Sequence, residues 1–325
     1  MTTALLAFID VSSVPALILL AECFGLLFIG KIVFDISTPQ FKVIRQLGEQ
    51  KNVALGVTMA MYYLAVAIVV TGVASDTSDV ALPVNDATLA VTTTPTTTAP
   101  AITGPSIDWP ELRGALLDVG IWGVIGILLL GVSRVANDRL ILHQFATTKE
   151  IIEDKNVGTG VVEGAAYIAS AFIIRASISG EGGGGLGAGI GLTVLFFALS
   201  QVMLAVFTIA YSRVTKYDLH AEIERDNVAV GVAMAGSLIA LGVVLGAGQH
   251  LAEADTVARQ VLSFCILSIV AIVVLIVTKY LGDWMILTGI DLDKELSANQ
   301  NVAVACVAAM IPVALAALVA ATWAG

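Results

Sequence analysis

Cysteine, histidine and charge are scarce in this chain, and each scarcity removes a class of protein. The three cysteines, Cys23, Cys265 and Cys306, all sit inside apolar runs, an odd number in places that argue against a disulfide framework and a thiolate metal site. The three histidines, His143, His220 and His250, form no ligand spacing. No Gly-x-Ser-x-Gly, His-Glu-x-x-His or Gly-x-x-x-x-Gly-Lys stretch occurs, so the signatures of serine hydrolases, zinc peptidases and phosphate loops are missing. An enzyme is not expected, and neither is a cofactor, a metal or a nucleic-acid partner. Charged residues make up only 13% of the 325, too few for the surface of a soluble domain of this size.

What is abundant is apolar. Hydrophobic residues reach 58% and the mean hydropathy is +0.93, which fits an all-α, polytopic membrane protein in a lipid bilayer. Eight runs of about twenty apolar residues are long enough to span a bilayer as helices. They read as Val14 to Phe34, Val53 to Val73, Leu116 to Val135, Val157 to Ile178, Leu192 to Val214, Val228 to Gly248, Val257 to Tyr280 and Val302 to Trp323. The first lacks the basic flank of a secretory signal and is expected to be retained. The net charge of -10 comes from acids scattered through the connections and is explained by solvation.

The runs are organised by a repeat. Asn52, Asn156, Asn227 and Asn301 each begin Asn-Val-(Ala/Gly)-x-(Gly/Ala) and lead into an apolar span. One unit, an apolar helix, a charged turn and an Asn-headed helix, is therefore present four times: 1–73, 113–180, 181–248 and 249–325. Between the first two units, 74–112 holds a Thr/Pro-rich stretch around Thr92 to Thr98, expected to be a disordered outer linker. The glycines at Gly182 to Gly185 read as a second permissive outer loop. Because each unit has two spans, all four point the same way through the membrane, unlike inverted-repeat transporters. Thirteen of the sixteen basic residues lie in or beside the Asn-bearing turns, the exceptions being Arg113, Arg175 and Arg259. That asymmetry places the turns in the cytoplasm and both termini outside, in a cytoplasmic (inner) membrane of bacterial type.

Three features recur with the repeat. An Asn at a helix start accepts a hydrogen bond from an unpaired first-turn N–H, so capping explains its position; convergence of the four on an ion or an anionic headgroup is the alternative. Small residues four apart, such as Gly160 with Gly164 and Gly231 with Ala235, predict that the Asn-headed spans form the packed interior and the others meet lipid. Opposite charges four apart close the preceding spans: Lys31 with Asp35, Arg134 with Asp138, Lys279 with Asp283, and more loosely Arg213 with Asp218. Between them and the asparagines, stretches such as Phe41 to Leu47 and Leu219 to Arg225 are too brief to be assigned from periodicity.

Two acids break the fourfold pattern. Glu163 stands where the other units have Met59, Met234 and Ala308, and Glu22 lies in the middle of the first span. A carboxylate at such depth is costly and marks either a functional path or an interhelical ion pair. The candidate partners are Arg134 and Lys31.

The stretch Tyr217-Asp218-Leu219, Glu222-Ile223, Asp226-Asn227-Val228-Ala229-Val230-Gly231 and Ala235-Gly236 resembles the bacterial membrane family known as domain of unknown function number three hundred and fifty, the YjfL-type proteins. The resemblance covers the chain outside the outer linker and implies a two-helix domain used in tandem. It implies no activity or catalytic residues, and associates the chain with envelope-stress and polyamine- or lipid-modifying systems. Two roles follow as expectations: a pore or carrier for an ion or small cation with Glu22 and Glu163 in its path, or a non-catalytic scaffold holding cytoplasmic protein partners at its basic turns. Self-association into a homo-oligomer is a further expected partnership.

Overall fold

The computed structural model describes residues 14–78, 107–142, 144–178, 186–252, 256–285 and 289–323. The Thr92 to Thr98 stretch, the Gly182 to Gly185 run and His143 lie outside the described residues. Among the described residues eight helices are long and apolar enough to cross a membrane, and each unit adds a third, short helix. In chain order the elements are α1 (Val14–Ser37), α2 (Val43–Gly48), α3 (Val53–Ser78), α4 (Trp109–Ala136), α5 (Thr147–Ile152), α6 (Val157–Ile178), α7 (Leu186–Val214), α8 (Leu219–Glu224), α9 (Val228–Leu251), α10 (Val257–Met285), α11 (Leu292–Ser297) and α12 (Val302–Trp323). The described ends of the stretch read as linker are helical, since α3 runs to Ser78 and α4 starts at Trp109. Asp108 caps α4 by accepting from the Glu111 N–H, with Pro110 in the first turn, where a missing N–H costs nothing.

The brief stretches left unassigned by periodicity are helices α2, α5, α8 and α11, six residues each. Such a helix is too short to be stable alone; here it is closed by a turn that recurs four times. The residue before each asparagine is left-handed: Lys51, Lys155, Asp226 and Gln300, with φ of 49°, 54°, 59° and 49°. That conformation costs a non-glycine residue about 1–2 kcal/mol. It lets the asparagine N–H donate back to the carbonyl of Gln46, Glu150, Glu222 or Glu295 inside the short helix, and it aims the next helix into the membrane.

The long helices form two parallel rows. Asn-headed α3, α6, α9 and α12 pack in sequence order, and α1, α4, α7 and α10 line up beside them. Glycine sets the spacing of the first row. A Cβ on Gly160 would lie 2.7 Å from the Ala54 carbonyl, one on Gly231 2.7 Å from that of Gly158, and one on Gly242 2.4 Å from the Ala169 Cα, so the backbones approach to a distance no side chain permits. Tyr62 and Tyr167 stack edge to face, centroids 5.2 Å apart, across α3 and α6.

The expectation that every Asn-headed span is interior needs one correction. In the most apolar stretch of each central member 83% (α6) and 78% (α9) of the residues are buried, yet in that of α12 only 22% are. The cause is topology: α3 and α12 make no extended contact, so the row stays open at both ends and its terminal helices keep a bare face.

Candidate functional site

All four asparagines cap their helices. Oδ1 accepts from the N–H three residues on, at Leu55, Thr159, Val230 and Val304, over 2.8–3.2 Å. The side-chain amide has two hydrogens, and in Asn52, Asn156 and Asn227 both are directed. One goes to the side chain of the unit's own short helix: Gln46, Glu150, Glu222 or Glu295. The other crosses to the next unit. Asn52 reaches the Ile151 carbonyl at 2.8 Å, Asn156 those of Ile223 and Glu224, and Asn227 those of Leu296 and Ser297. These acceptors are the last carbonyls of a helix, which have no partner within it. The asparagines therefore lie along the row, the first three each tied forward to the next unit, and do not converge on a common centre.

Where unit one meets unit two, a buried ion pair and its partners are assembled from four elements, α1, α4, α5 and α6. Glu163, on α6 two turns below Asn156, meets Arg134 from the end of α4 at 3.6 Å. The Tyr167 hydroxyl donates to the same carboxylate over 3.1 Å. Arg134 spends its other N–H groups on the Ser37 carbonyl of unit one and the Thr148 hydroxyl of α5, both at 3.3 Å, and stacks over Phe34 at 5.9 Å. Its side chain and that of Glu163 are 9% and 2% exposed. A cavity of about 10 Å³ adjoins the pair, lined by Phe34, Phe41, Leu55, Thr58, Ile151 and Ile152 among others, barely room for one water. Beside it the chain leaves α4 through a π-helical turn, Asn137–Ile141, where the Asn137 amide atoms and Asp138 Oδ1 are buried without hydrogen-bond partners among the described residues.

Of the other sequence candidates, Lys31 pairs with Asp35 at 2.5 Å as a part-exposed helical pair. Glu22 packs against α4, where a Cβ on Gly120 would lie 2.9 Å from its Oε1. Its Oε2 is buried without a hydrogen-bond partner, and among the described residues no ion pair joins it to Lys31 or Arg134. The two acids are thus separate: among the described residues Glu163 is ion-paired and Glu22 is not.

A second polar cluster, missed by sequence reasoning, sits where unit three meets unit four. Lys279 reaches Asp293 of α11 at 3.0 Å, both nearly buried, and Lys216 approaches the other carboxylate oxygen at 3.8 Å. The side chain of Asp283, the partner that helical spacing suggests, lies outside the described residues. A cavity of about 30 Å³ lies alongside, lined by Tyr211, Ser237, Thr278, Lys279, Ala308 and Pro312 among others. Pro312, inside α12, lacks the N–H that would bond the Ala308 carbonyl. Counting from Asn156 and Asn301, Arg134 corresponds to Lys279, Thr148 to Asp293, Glu163 to Ala308 and Tyr167 to Pro312. The signal was available in that alignment: the carboxylate lost at Ala308 reappears at Asp293.

The comparisons with known proteins agree with this twofold arrangement. A relative from Aquifex aeolicus (strain VF5), a "UPF0719 transmembrane protein", is 25% identical over 118 residues, 36% of this chain and 43% of that protein's length. The chain thus aligns with less than half of the curated relative. No solved structure gives a significant match. The description Domain of Unknown Function (DUF350) matches residues 8–178 and again 185–323, each match holding two hairpin units and one buried cation–carboxylate cluster, and this multi-pass membrane protein belongs to the DUF350 family.

Proposed function

We propose that the protein is a non-catalytic membrane scaffold, a rigid row of four hairpins that presents its basic turns to protein partners. The observation that carries the reading is the use of the polar groups. Each inner asparagine ties one unit to the next, and Arg134 with Glu163, Ser177 with Gln249 and Gln201 with Ser170 bond helix to helix. Intramembrane polar groups committed to each other stabilise a fixed arrangement. The bias of basic residues, with Lys42, Arg45, Lys149 and Arg225 in the turns, supports a cytoplasmic position for them in a bacterial inner membrane. A role beside envelope-stress or lipid- and polyamine-linked systems is compatible with such a platform.

The test combines flux and cross-linking. Purified protein in proteoliposomes is expected to leave proton, potassium and putrescine flux at the level of empty vesicles. Replacing Lys42, Arg45 and Lys149 by Glu is expected to abolish specific cytoplasmic cross-links while the protein stays folded in the membrane. Flux above background, or cross-links indifferent to those charges, overturns the scaffold.

Carriage of an ion or small cation is the second reading, and Glu22 is the observation that favours it: a carboxylate oxygen within the spans that accepts from no described donor. It requires flux that Glu22→Gln abolishes and that Lys31→Gln leaves intact.

A further inference from the structure

We propose that a second copy of the chain docks end to end on the first, the bare face of α12 in one copy against the bare face of α3 in the next, so that the row of Asn-headed helices continues between copies. The three boundaries inside the chain repeat a single contact. The earlier unit contributes an asparagine amide and the backbone two residues beyond it; the later unit contributes the last carbonyls of its short helix and a small buried residue four past its own asparagine, Gly160, Gly231 or Ala305. Thus Gly160 lies against Ala54 and Gly231 against Gly158, and Ala54, Gly158 and Ala229 are all buried.

The end of the row carries the first half of that contact unused. Among the described residues the Asn301 amide reaches only Glu295, whereas its three siblings each also hold a carbonyl of the following unit. Ala303, the counterpart of Ala54, Gly158 and Ala229, is exposed, as are Val307 and Met310 further along the same face.

The start of the row carries the second half unused. Leu47 and Gly48 correspond to Ile151 and Ile152, Ile223 and Glu224, and Leu296 and Ser297, and no described side chain donates to their carbonyls. Gly56, the counterpart of Gly160 and Gly231, has only a Leu47 methyl at 3.8 Å where they have backbone. Ala60 and Leu64 continue that face and are exposed.

The two halves complement each other and not themselves, so the contact is head to tail. A bilayer favours it, because every unit crosses in the same direction and neighbouring copies share one orientation. Lipid tails cannot take the occupant's place: they offer no acceptor for the Asn301 amide, and the small residues gain from backbone approach, which a helix supplies.

Within the chain, Gly164 faces Met61, with a Cβ on Gly164 falling 2.8 Å from that of Met61; the corresponding pair between copies is Ala60 with Met310. The experiment uses the full chain with Cys23, Cys265 and Cys306 replaced by Ser. Differently tagged Ala60→Cys and Met310→Cys chains are co-expressed and oxidised in native membranes, with the intrachain pair Ala165→Cys and Ala235→Cys as the control for oxidant access. A disulfide between the two tags is expected, and neither single-cysteine chain is expected to dimerise alone. Asn301→Ala is expected to lower self-association in detergent, read by native mass spectrometry, by about tenfold while leaving the control disulfide intact. No mixed disulfide where the control forms, Met310→Cys chains joining to one another, or Asn301→Ala leaving association unchanged would each overturn the proposal.

Discussion

The two halves of the chain solve one problem differently. In residues 14–178 the buried base is Arg134 and its acid, Glu163, hangs from the central helix α6; in residues 186–323 the base is Lys279 and its acid, Asp293, hangs from the short surface helix α11. The first cluster is the more fully bonded, with Tyr167, Thr148 and the Ser37 carbonyl filling the remaining bonds and a 10 Å³ cavity beside it. The second is looser, with the exposed Lys216 sharing the carboxylate and a 30 Å³ cavity partly lined by Pro312. A repeat thus keeps a charge pair at the unit boundary while letting its acid migrate between elements, because neutrality of the pocket matters more than which backbone carries the charge.

That contrast can be broken by single substitutions. Glu163→Ala strands Arg134 in an enclosed site and is expected to destabilise the protein by about 3–5 kcal/mol, whereas Lys279→Ala leaves Asp293 its Lys216 partner and is expected to cost about 1–2 kcal/mol. Reversible unfolding in bicelles measures both; equal losses would show that the second cluster is as enclosed as the first. The contrast is sharpened by transplanting it. Thr148→Asp added to Glu163→Ala rebuilds the second half's arrangement in the first and is expected to recover about 2 kcal/mol, read as the coupling term of a double-mutant cycle. Additive losses would refute the equivalence of the two acids.

Smaller effects separate the middle of the row from its ends. Gly242→Ala drives a Cβ into the Ala169 backbone and is expected to cost about 1–3 kcal/mol, while Gly56→Ala meets only a Leu47 methyl at an ordinary contact distance of 3.8 Å and is expected to stay within about 0.5 kcal/mol in the isolated chain. The smallest effect concerns pH. The Asn301 amide, then that of Asn299, hold the Glu295 carboxyl below its ordinary value. A depressed folded-state value means that its contribution to stability is present above the unfolded value and is lost as pH falls through the folded one. Asn301→Ala should move the Glu295 titration upward, as followed by carbon NMR; no movement would remove the assigned cause.

The sequence made the spans and the fourfold unit legible because lipid imposes a minimum apolar length and the asparagine marks every second helix start. Capping was visible for the same local reason. The second bond of Asn52, Asn156 and Asn227 was not, since Asn156 meets Ile223 only once the units are stacked, and no local pattern encodes the stacking. The short helices were invisible to periodicity at six residues, and the left-handed residue that closes them is Lys, Lys, Asp or Gln rather than a signalling glycine. Glu163 with Arg134 was nameable because an acid in a span is rare. Glu22 was equally conspicuous, yet chain geometry leaves both candidate bases away from it. Lys279 was read against Asp283, four residues on, because helical spacing is a stronger cue than a contact fourteen residues away that exists only after α11 folds back.

Single cysteines at Lys42, Lys149, Arg225 and Lys294, one in each turn, probed in intact cells with a membrane-impermeant maleimide, test the parallel row most directly. All four are expected to react alike: protected in intact cells and labelled once the membrane is opened. Labelling of any one of them from the side opposite to the other three would contradict a row of hairpins that all cross in the same direction.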